Sequence, residues 1–222
     1  MSIPSDTLSR FFLFAELDEQ ARQEISPYAQ ERTFESGQII MFAGEPCQGV
    51  YLIYKGQVIA RRFSLEGREY VLDYRGPGDC INVVPVLDGG TNLATVEALT
   101  DTTVYLIPCA RFHQILRAHN AVAFAVLDRL ARRVRRLSDT VEDLALHTVR
   151  TRLARFLLSR ESAGAYPSRR WTQEEIAAHV GTVRDVIGRT LRAFSQEGLI
   201  RRERGRLVVT DRGALARAAM QE

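Results

Sequence analysis

Ala123, Leu127, Leu130, Val134, Leu137, Val141 and Leu144 follow one another at alternating intervals of four and three residues. Sustained over three heptads, that spacing leaves little choice of local structure: the segment is a long helix with a narrow apolar seam. Its flanks are charged, with Arg129, Arg132, Arg133, Arg135, Arg136, Glu142 and Asp143. A stripe this narrow suits one partner helix better than a broad core face. It predicts a parallel coiled coil between two copies of the chain, against the alternative of a helix packed wholly on its own domain.

On the N-terminal side the period changes. Residues 8–30 read as short helices, with Leu13, Phe14, Leu17, Ala21 and Ile25 near helical spacing and Pro27 interrupting. From Thr33, glycines 37, 44, 49, 56, 67, 76, 78, 89 and 90 punctuate β-rich runs at 38–42, 50–54, 57–63, 69–74, 94–98 and 103–107. Many short strands between turn signals argue for a jelly-roll β-barrel over about 33–108.

Beyond the seam, Thr148 is placed to cap a helix reaching about 162, with Val149, Leu153, Phe156 and Leu157 inward; 164–168 reads as a loop. Thr172-Gln-Glu-Glu175 is a capping box. The short helix it opens, 173–180, turns Ile176 and Val180 inward and carries the small Ala177 where two helices approach. Gly181 supplies a turn, and a second helix, about 183–196, is anchored by Val186 or Ile187, Leu191 and Phe194. Residues 198–209 read as a hairpin turning at Gly205. Helix, glycine turn, helix and hairpin make a winged helix-turn-helix. The fold class is α+β: an N-terminal jelly-roll barrel with short helices (1–118), a dimerisation helix (119–147) and a C-terminal winged helix-turn-helix (148–222).

Charge follows this division. From Thr148 onward the chain has fifteen arginines, no lysine and eight acids, a net +7, while residues 1–147 sum to −4. A basic third on a mildly acidic body is the electrostatic footprint of a nucleic-acid reader. The first turns of the second helix carry Arg184, Asp185 and Arg189. Arginine can donate twice to guanine and a carboxylate can accept from cytosine, so an Arg–Asp pair there predicts base readout of a G·C-containing half-site. The competing reading makes both arginines phosphate contacts and Asp185 a surface partner of Arg189. Thr172, Gln173, Thr182, Arg192, Arg201, Arg202, Arg204 and Arg206 are expected at the DNA backbone.

Other classes fare worse. The longest apolar run, 121–127, is far too short to span a bilayer, and no signal pattern opens the chain, so a cytoplasmic protein without a membrane partner is expected. No nucleophile elbow, P-loop, dinucleotide fingerprint or metal-spaced His/Cys group is present, so no catalytic or metal residue is assigned and no enzyme is expected. Cys47, Cys80 and Cys109 have no redox or metal spacing and read as small, partly buried side chains. The serious rival is a dimeric sensor whose C-terminal domain binds protein rather than DNA.

The assembled pattern resembles the cyclic-AMP receptor protein/fumarate-nitrate reductase regulator (CRP/FNR) family over nearly the whole chain. The carriers are Gly37-x-x-Ile40-x-x-x-Gly44-Glu45-Pro46, Tyr51-Leu-Ile53, Gly56-x-Val58, Gly76-Pro-Gly-Asp79 and, in the second helix, Arg184-Asp185 with Gly188-Arg189, where Asp replaces the family's Glu. The resemblance implies a cyclic-nucleotide-binding-type barrel and a homodimer on palindromic, double-stranded DNA, with RNA polymerase as a further partner. Nucleotide-binding members place Gly-Glu and Arg-Ser in the pocket; here those positions hold Asn82-Val83 and Leu93-Ala94. A buried phosphate without a cation is strongly disfavoured, so cyclic AMP is not expected. Cys80, Ile81, Asn82, Val83, Leu93 and Ala94 are then the candidate effector pocket. Three modes of control stay open: heme or another apolar ligand, with Cys80, His113, His119 and His147 as available heme ligands; a thiol response at Cys80; or constitutive DNA binding.

Overall fold

Residues 49–53, Gly-Val-Tyr-Leu-Ile, are buried without a break, and the reason is that their strand is covered on both faces. Successive side chains of a strand point to opposite faces. Val50 and Leu52 enter one core, with Phe11, Phe14, Ile25, Phe112 and Val122; Tyr51 and Ile53 enter another, with Ile40, Val58, Val96 and Ala98. The first core lies under helices and the second lies between two sheets.

The computed structural model describes residues 3–64, 69–162, 172–203 and 206–220, and the chain divides into two compact units, Met1–Arg133 and Val134–Glu222. The first unit opens with α1 (Ser5–Leu8), α2 (Glu19–Ile25) and a 3-10 turn (Ser26–Tyr28). Eight strands follow: β1 (Gln30–Phe34), β2 (Ile39–Met41), β3 (Gly49–Lys55), β4 (Val58–Phe63), β5 (Glu69–Arg75), β6 (Cys80–Ile81), β7 (Thr95–Ala98) and β8 (Thr102–Pro108). Helix α3 (Val83–Asp88) lies between β6 and β7, and α4 (Cys109–Ala118) leads into α5 (Asn120–Leu146). The strands form two four-stranded antiparallel sheets, ordered β1-β8-β3-β6 and β2-β7-β4-β5, which is the expected jelly-roll sandwich.

Helix α5 extends across the boundary between the two units. Its first turns press Val122 and Val126 into the helix-covered core of the first unit, with Leu130 partly buried against it. The second unit continues with α6 (Val149–Ser162), α7 (Gln173–Val180), α8 (Arg184–Gln196), β9 (Ile200–Glu203), β10 (Arg206–Val209) and α9 (Arg212–Ala218). Leu153, Leu157, Ile176, Val180, Ile187, Leu191, Phe194 and Leu215 form its core. Arg150 ties α6 to α8: its guanidinium lies 4.7 Å above the Phe194 ring and donates to Glu197 Oε1 at 2.9 Å. Among the described residues no helix is long and apolar enough to cross a membrane.

Several elements escape the sequence pattern, α9 among them. β1 is almost wholly exposed and shows no apolar alternation, β6 has only two residues, and α3 contains Pro85 inside a short apolar run. α4 buries only Phe112 and Ile115, so its apolar face is narrow. The loop expected at 164–168, the glycine turn at Gly67 and the wing tip at Arg204 and Gly205 lie outside the described residues.

Candidate nucleic-acid interface

The helix-turn-helix is built from local chemistry. The Thr172 hydroxyl accepts from the Glu175 amide at 3.1 Å while Glu175 Oε2 accepts from the Thr172 amide at 2.8 Å, so both halves of the capping box are closed. Helix α7 ends at Gly181 with φ +71°, a left-handed conformation in which a Cβ is strained. The Thr182 amide then returns to the Ala177 carbonyl at 3.0 Å, and Val183 caps α8. Ile187, Leu191 and Phe194 are the buried anchors of α8; Val186, the alternative to Ile187, is only half-buried.

That anchoring turns the opposite face outward. Arg184, Asp185, Arg189 and Arg192 are all exposed. With Gln173, Gly188 and Arg202 they line one open cleft of about 690 Å³. The cleft therefore gathers all three expected base-reading residues and three of the expected backbone contacts. Arg206 is exposed on β10, while Arg201, on β9, pairs with Glu203. Thr172 and Thr182 serve the turn geometry itself. Sequence reasoning missed Glu174, whose Oε1 lies 2.8 Å from Arg184 Nε. The pair joins two helices, and no spacing along one helix signals it. Both partners are well exposed, so the attraction is weak and a base or phosphate can displace the carboxylate.

Two family models match: a cyclic nucleotide-binding domain over residues 31–119 and a Crp-like helix-turn-helix domain over residues 151–218. The "Cyclic AMP receptor protein" of Thermus thermophilus is 30% identical over 192 residues, 86% of this chain and 89% of that protein. The chain belongs to the CRP/FNR family. A "CRP-like cAMP-activated global transcriptional regulator" of Mycobacterium tuberculosis is 27% identical over 96% of this chain and 99% of its own. The crystal structure of a crp/fnr-family transcriptional regulator from Eubacterium rectale superimposes with a TM-score of 0.77 at 27% identity, covering 96% of this chain and all of the other. This CRP/FNR chain is thus a transcription regulator with a helix-turn-helix DNA-binding domain, in a family of regulators and not of enzymes.

In the CRP/FNR barrel the residues expected at the effector pocket are spread over strand, helix and loop. Cys80 and Ile81 alternate across β6, so Cys80 enters the helix-covered core with Val83 packed against it, while Ile81 enters the core between the sheets. Leu93 is 44% exposed. Asn82, with φ +69°, points its amide at Gly49 O (3.2 Å) and Asn92 Oδ1 (2.9 Å), and the buried Asn92 in turn donates to Phe42 O at 3.1 Å. Cys80 and Ile81 thus face different cores, and none of the six residues brings a cation for a cyclic phosphate. The available heme ligands are held by other contacts. Cys80 is buried among apolar side chains, His113 Nε2 donates to Val86 O at 2.7 Å, His119 ends α4 half-buried, and His147 Nε2 lies 3.8 Å from Asp143. Burial pushes the Cys80 thiol up to about 12, which argues against it as the reactive sulfur.

Two further sets of residues meet across long stretches of chain. Asp79, at the Gly76-Pro-Gly-Asp turn, takes Arg129 from α5 at 3.1 Å and Arg75 at 3.6 Å, while Asp73 takes Arg75 and, at 3.6 Å, Arg133. Cys47 and Cys109, unrelated by spacing, bring their sulfurs to 3.6 Å. Along α5 the seam divides: Ala123 and Leu130 are half-buried, while Leu127, Val134, Leu137, Val141 and Leu144 are exposed, joined by Phe124.

Proposed function

We propose that this CRP/FNR regulator acts as a homodimer on a palindromic site with G·C-containing half-sites, and that it does so without cyclic AMP. The observation that carries the reading is the cleft on α8, where Arg184 and Asp185, of opposite charge and both exposed, share the first helical turn. An acid facing DNA is repelled by phosphate unless it accepts from a base, and cytosine N4 is the donor that suits it. Arg189 joins the base-reading set; Arg192, Arg202 and Arg206 hold phosphates. The exposed α5 stripe supports the homodimer, and a palindrome then requires the two α8 helices to stand about one DNA turn, ~34 Å, apart.

Control is proposed to come from a signal other than a cyclic nucleotide, or the protein binds DNA constitutively and acts on RNA polymerase from there. The Asn82-Val83 and Leu93-Ala94 positions supply no partner for a cyclic phosphate, and the hydrogen-bonded Asn82–Asn92 pair supports this reading. The deciding experiment is selection of bound sequences from a random duplex pool by purified, ligand-free protein. A two-fold-symmetric motif with G·C pairs in each half, unchanged by added cyclic AMP, is the expected result. An asymmetric motif, or enrichment only with cyclic AMP present, overturns it.

A further inference from the structure

Cys47 and Cys109 are separated by 62 positions, yet their sulfurs lie 3.6 Å apart, close to van der Waals contact. The backbone holds them there. Cys47 precedes β3 and Cys109 follows β8, and these strands pair antiparallel with Gly49 opposite Pro108. The ladder continues past the strand ends, since the Cys109 amide donates to the Gln48 carbonyl at 3.2 Å. At Gly49 a Cβ would fall 2.1 Å from the Ile107 carbonyl oxygen, so the close approach of the two strands depends on that glycine. The side chains are oriented as well: the Cys109 thiol points at Cys47 O (3.3 Å), and Asn82 Nδ2 donates to Cys47 Sγ at 3.2 Å. Both cysteines are half-buried, so a small solute reaches them; Cys80 is buried.

We propose that Cys47 and Cys109 are a dithiol modification site that a hydroperoxide closes, reversibly, to an intramolecular disulfide.

The Cys109 thiolate attacks one peroxide oxygen. The O–O bond breaks, the distal oxygen leaves as alcohol or water on taking up a proton, and Cys109 becomes a sulfenic acid. Cys47 then attacks the Cys109 sulfur, the S–S bond forms, and the sulfenic oxygen departs as water with the Cys47 proton. The peroxide is reduced by two electrons and the two thiols are oxidised by the same two. Either sulfur can open the sequence with the same balance; burial and the neighbouring Cys109 push the Cys47 thiol up to about 12, so the step is written from Cys109. Closure needs the sulfurs to approach by about 1.5 Å, a shift within reach of χ1 rotation on a fixed ladder.

The test uses the full-length, fully reduced protein, titrated with hydrogen peroxide in small molar excess and quenched with an alkylating agent. The expected product has lost two hydrogen masses per chain, leaves one of the three thiols free, and regains all three with dithiothreitol. Digestion without reductant should link the peptides of Cys47 and Cys109, in the native chain and in Cys80→Ala alike. In Cys47→Ser a dimedone adduct should appear on Cys109. A native chain that only gains oxygen atoms, or whose bond runs to Cys80 or to a second chain, overturns the site. An adduct on Cys47 in Cys109→Ser, with none on Cys109 in Cys47→Ser, overturns the order of attack. None of these outcomes depends on DNA binding.

Discussion

Arg129 Nη2 donates to Asp79 Oδ1 at 3.1 Å while its guanidinium lies 4.8 Å over the ring of Phe12. One side chain of α5 therefore holds both the glycine-rich turn before β6 and the segment between α1 and α2. Arg133 makes a second such contact, to Asp73, so two ion pairs tie the helix to the barrel, and Arg75 of β5 bridges their two carboxylates. Each pair is only partly buried, and its worth is set more by geometry than by charge alone. Arg129→Ala is expected to lower the urea midpoint of the barrel by an amount equivalent to about 1–2 kcal/mol. Arg129→Lys should recover less than half, because an ammonium cannot both stack on Phe12 and donate in plane. Full recovery by lysine would show that charge alone matters there.

The pair between Arg184 and Glu174 makes a prediction in the opposite direction. Glu174 occupies Arg184 in free protein and must release it to DNA. Arg184→Ala is expected to lose about 1–3 kcal/mol at one G·C pair of each half-site and little on scrambled DNA. Glu174→Gln should tighten binding to both, by removing a competing and repelling carboxylate. Titration of labelled duplexes at fixed salt measures each; equal loss on all sequences for Arg184→Ala would make it a phosphate contact.

Gly181 carries the turn between α7 and α8. An alanine there must hold φ near +71°, and its Cβ would lie 2.8 Å from Leu144 Cδ2. The backbone strain alone is worth about 1–2 kcal/mol, and the Leu144 side chain has to rotate away. Gly181→Ala should lower the melting temperature of the C-terminal unit by several degrees and weaken DNA binding on every sequence. A variant that melts like the parent would show that the turn relaxes at no cost.

The elements that the sequence made legible are those whose determinants are local. Thr172 and Glu175 are three residues apart, Gly181 is next to the helix it ends, and Gly56 separates β3 from β4. What stayed hidden depends on pairing between distant segments. Val122 and Val126 form a second apolar face on α5 that the dominant 4-3 seam masks. Asn92 becomes the partner of Asn82 only once α3 folds between them, and Cys47 meets Cys109 only through the register of β3 on β8. That Cys80 and Ile81 enter different cores follows from a simpler rule, that adjacent residues of a strand face opposite ways.

Cys80 provides a test of its placement in the helix-covered core. Buried, its thiol releases a proton only near 12, against about 8.5 in an unfolded chain. The folded value is raised, so the stabilisation is fully present below the unfolded value and is lost as pH climbs between the two. Iodoacetamide at pH 8 should therefore label Cys80 only at the rate of unfolding, with Cys109 labelled far sooner in the reduced protein. Fast labelling of Cys80 in the absence of denaturant would mean that β6 opens locally.

The α5 seam supplies the last prediction, and the structure decides which residue to change. Leu130 is half-buried against the barrel's own core, so Leu130→Glu would damage that unit and the interface together. Leu137 is 51% exposed and belongs to none of the three core clusters of the described residues. A glutamate there costs the monomer little, but in a dimer it would bury two like charges facing each other across the seam. Leu137→Glu should fold normally by circular dichroism, sediment as a monomer at concentrations where the parent is a dimer, and lose affinity for a palindrome far more than for an isolated half-site. If the variant still sediments as a dimer, the two copies meet elsewhere. If the parent is itself a monomer that binds a palindrome tightly, the homodimer is wrong.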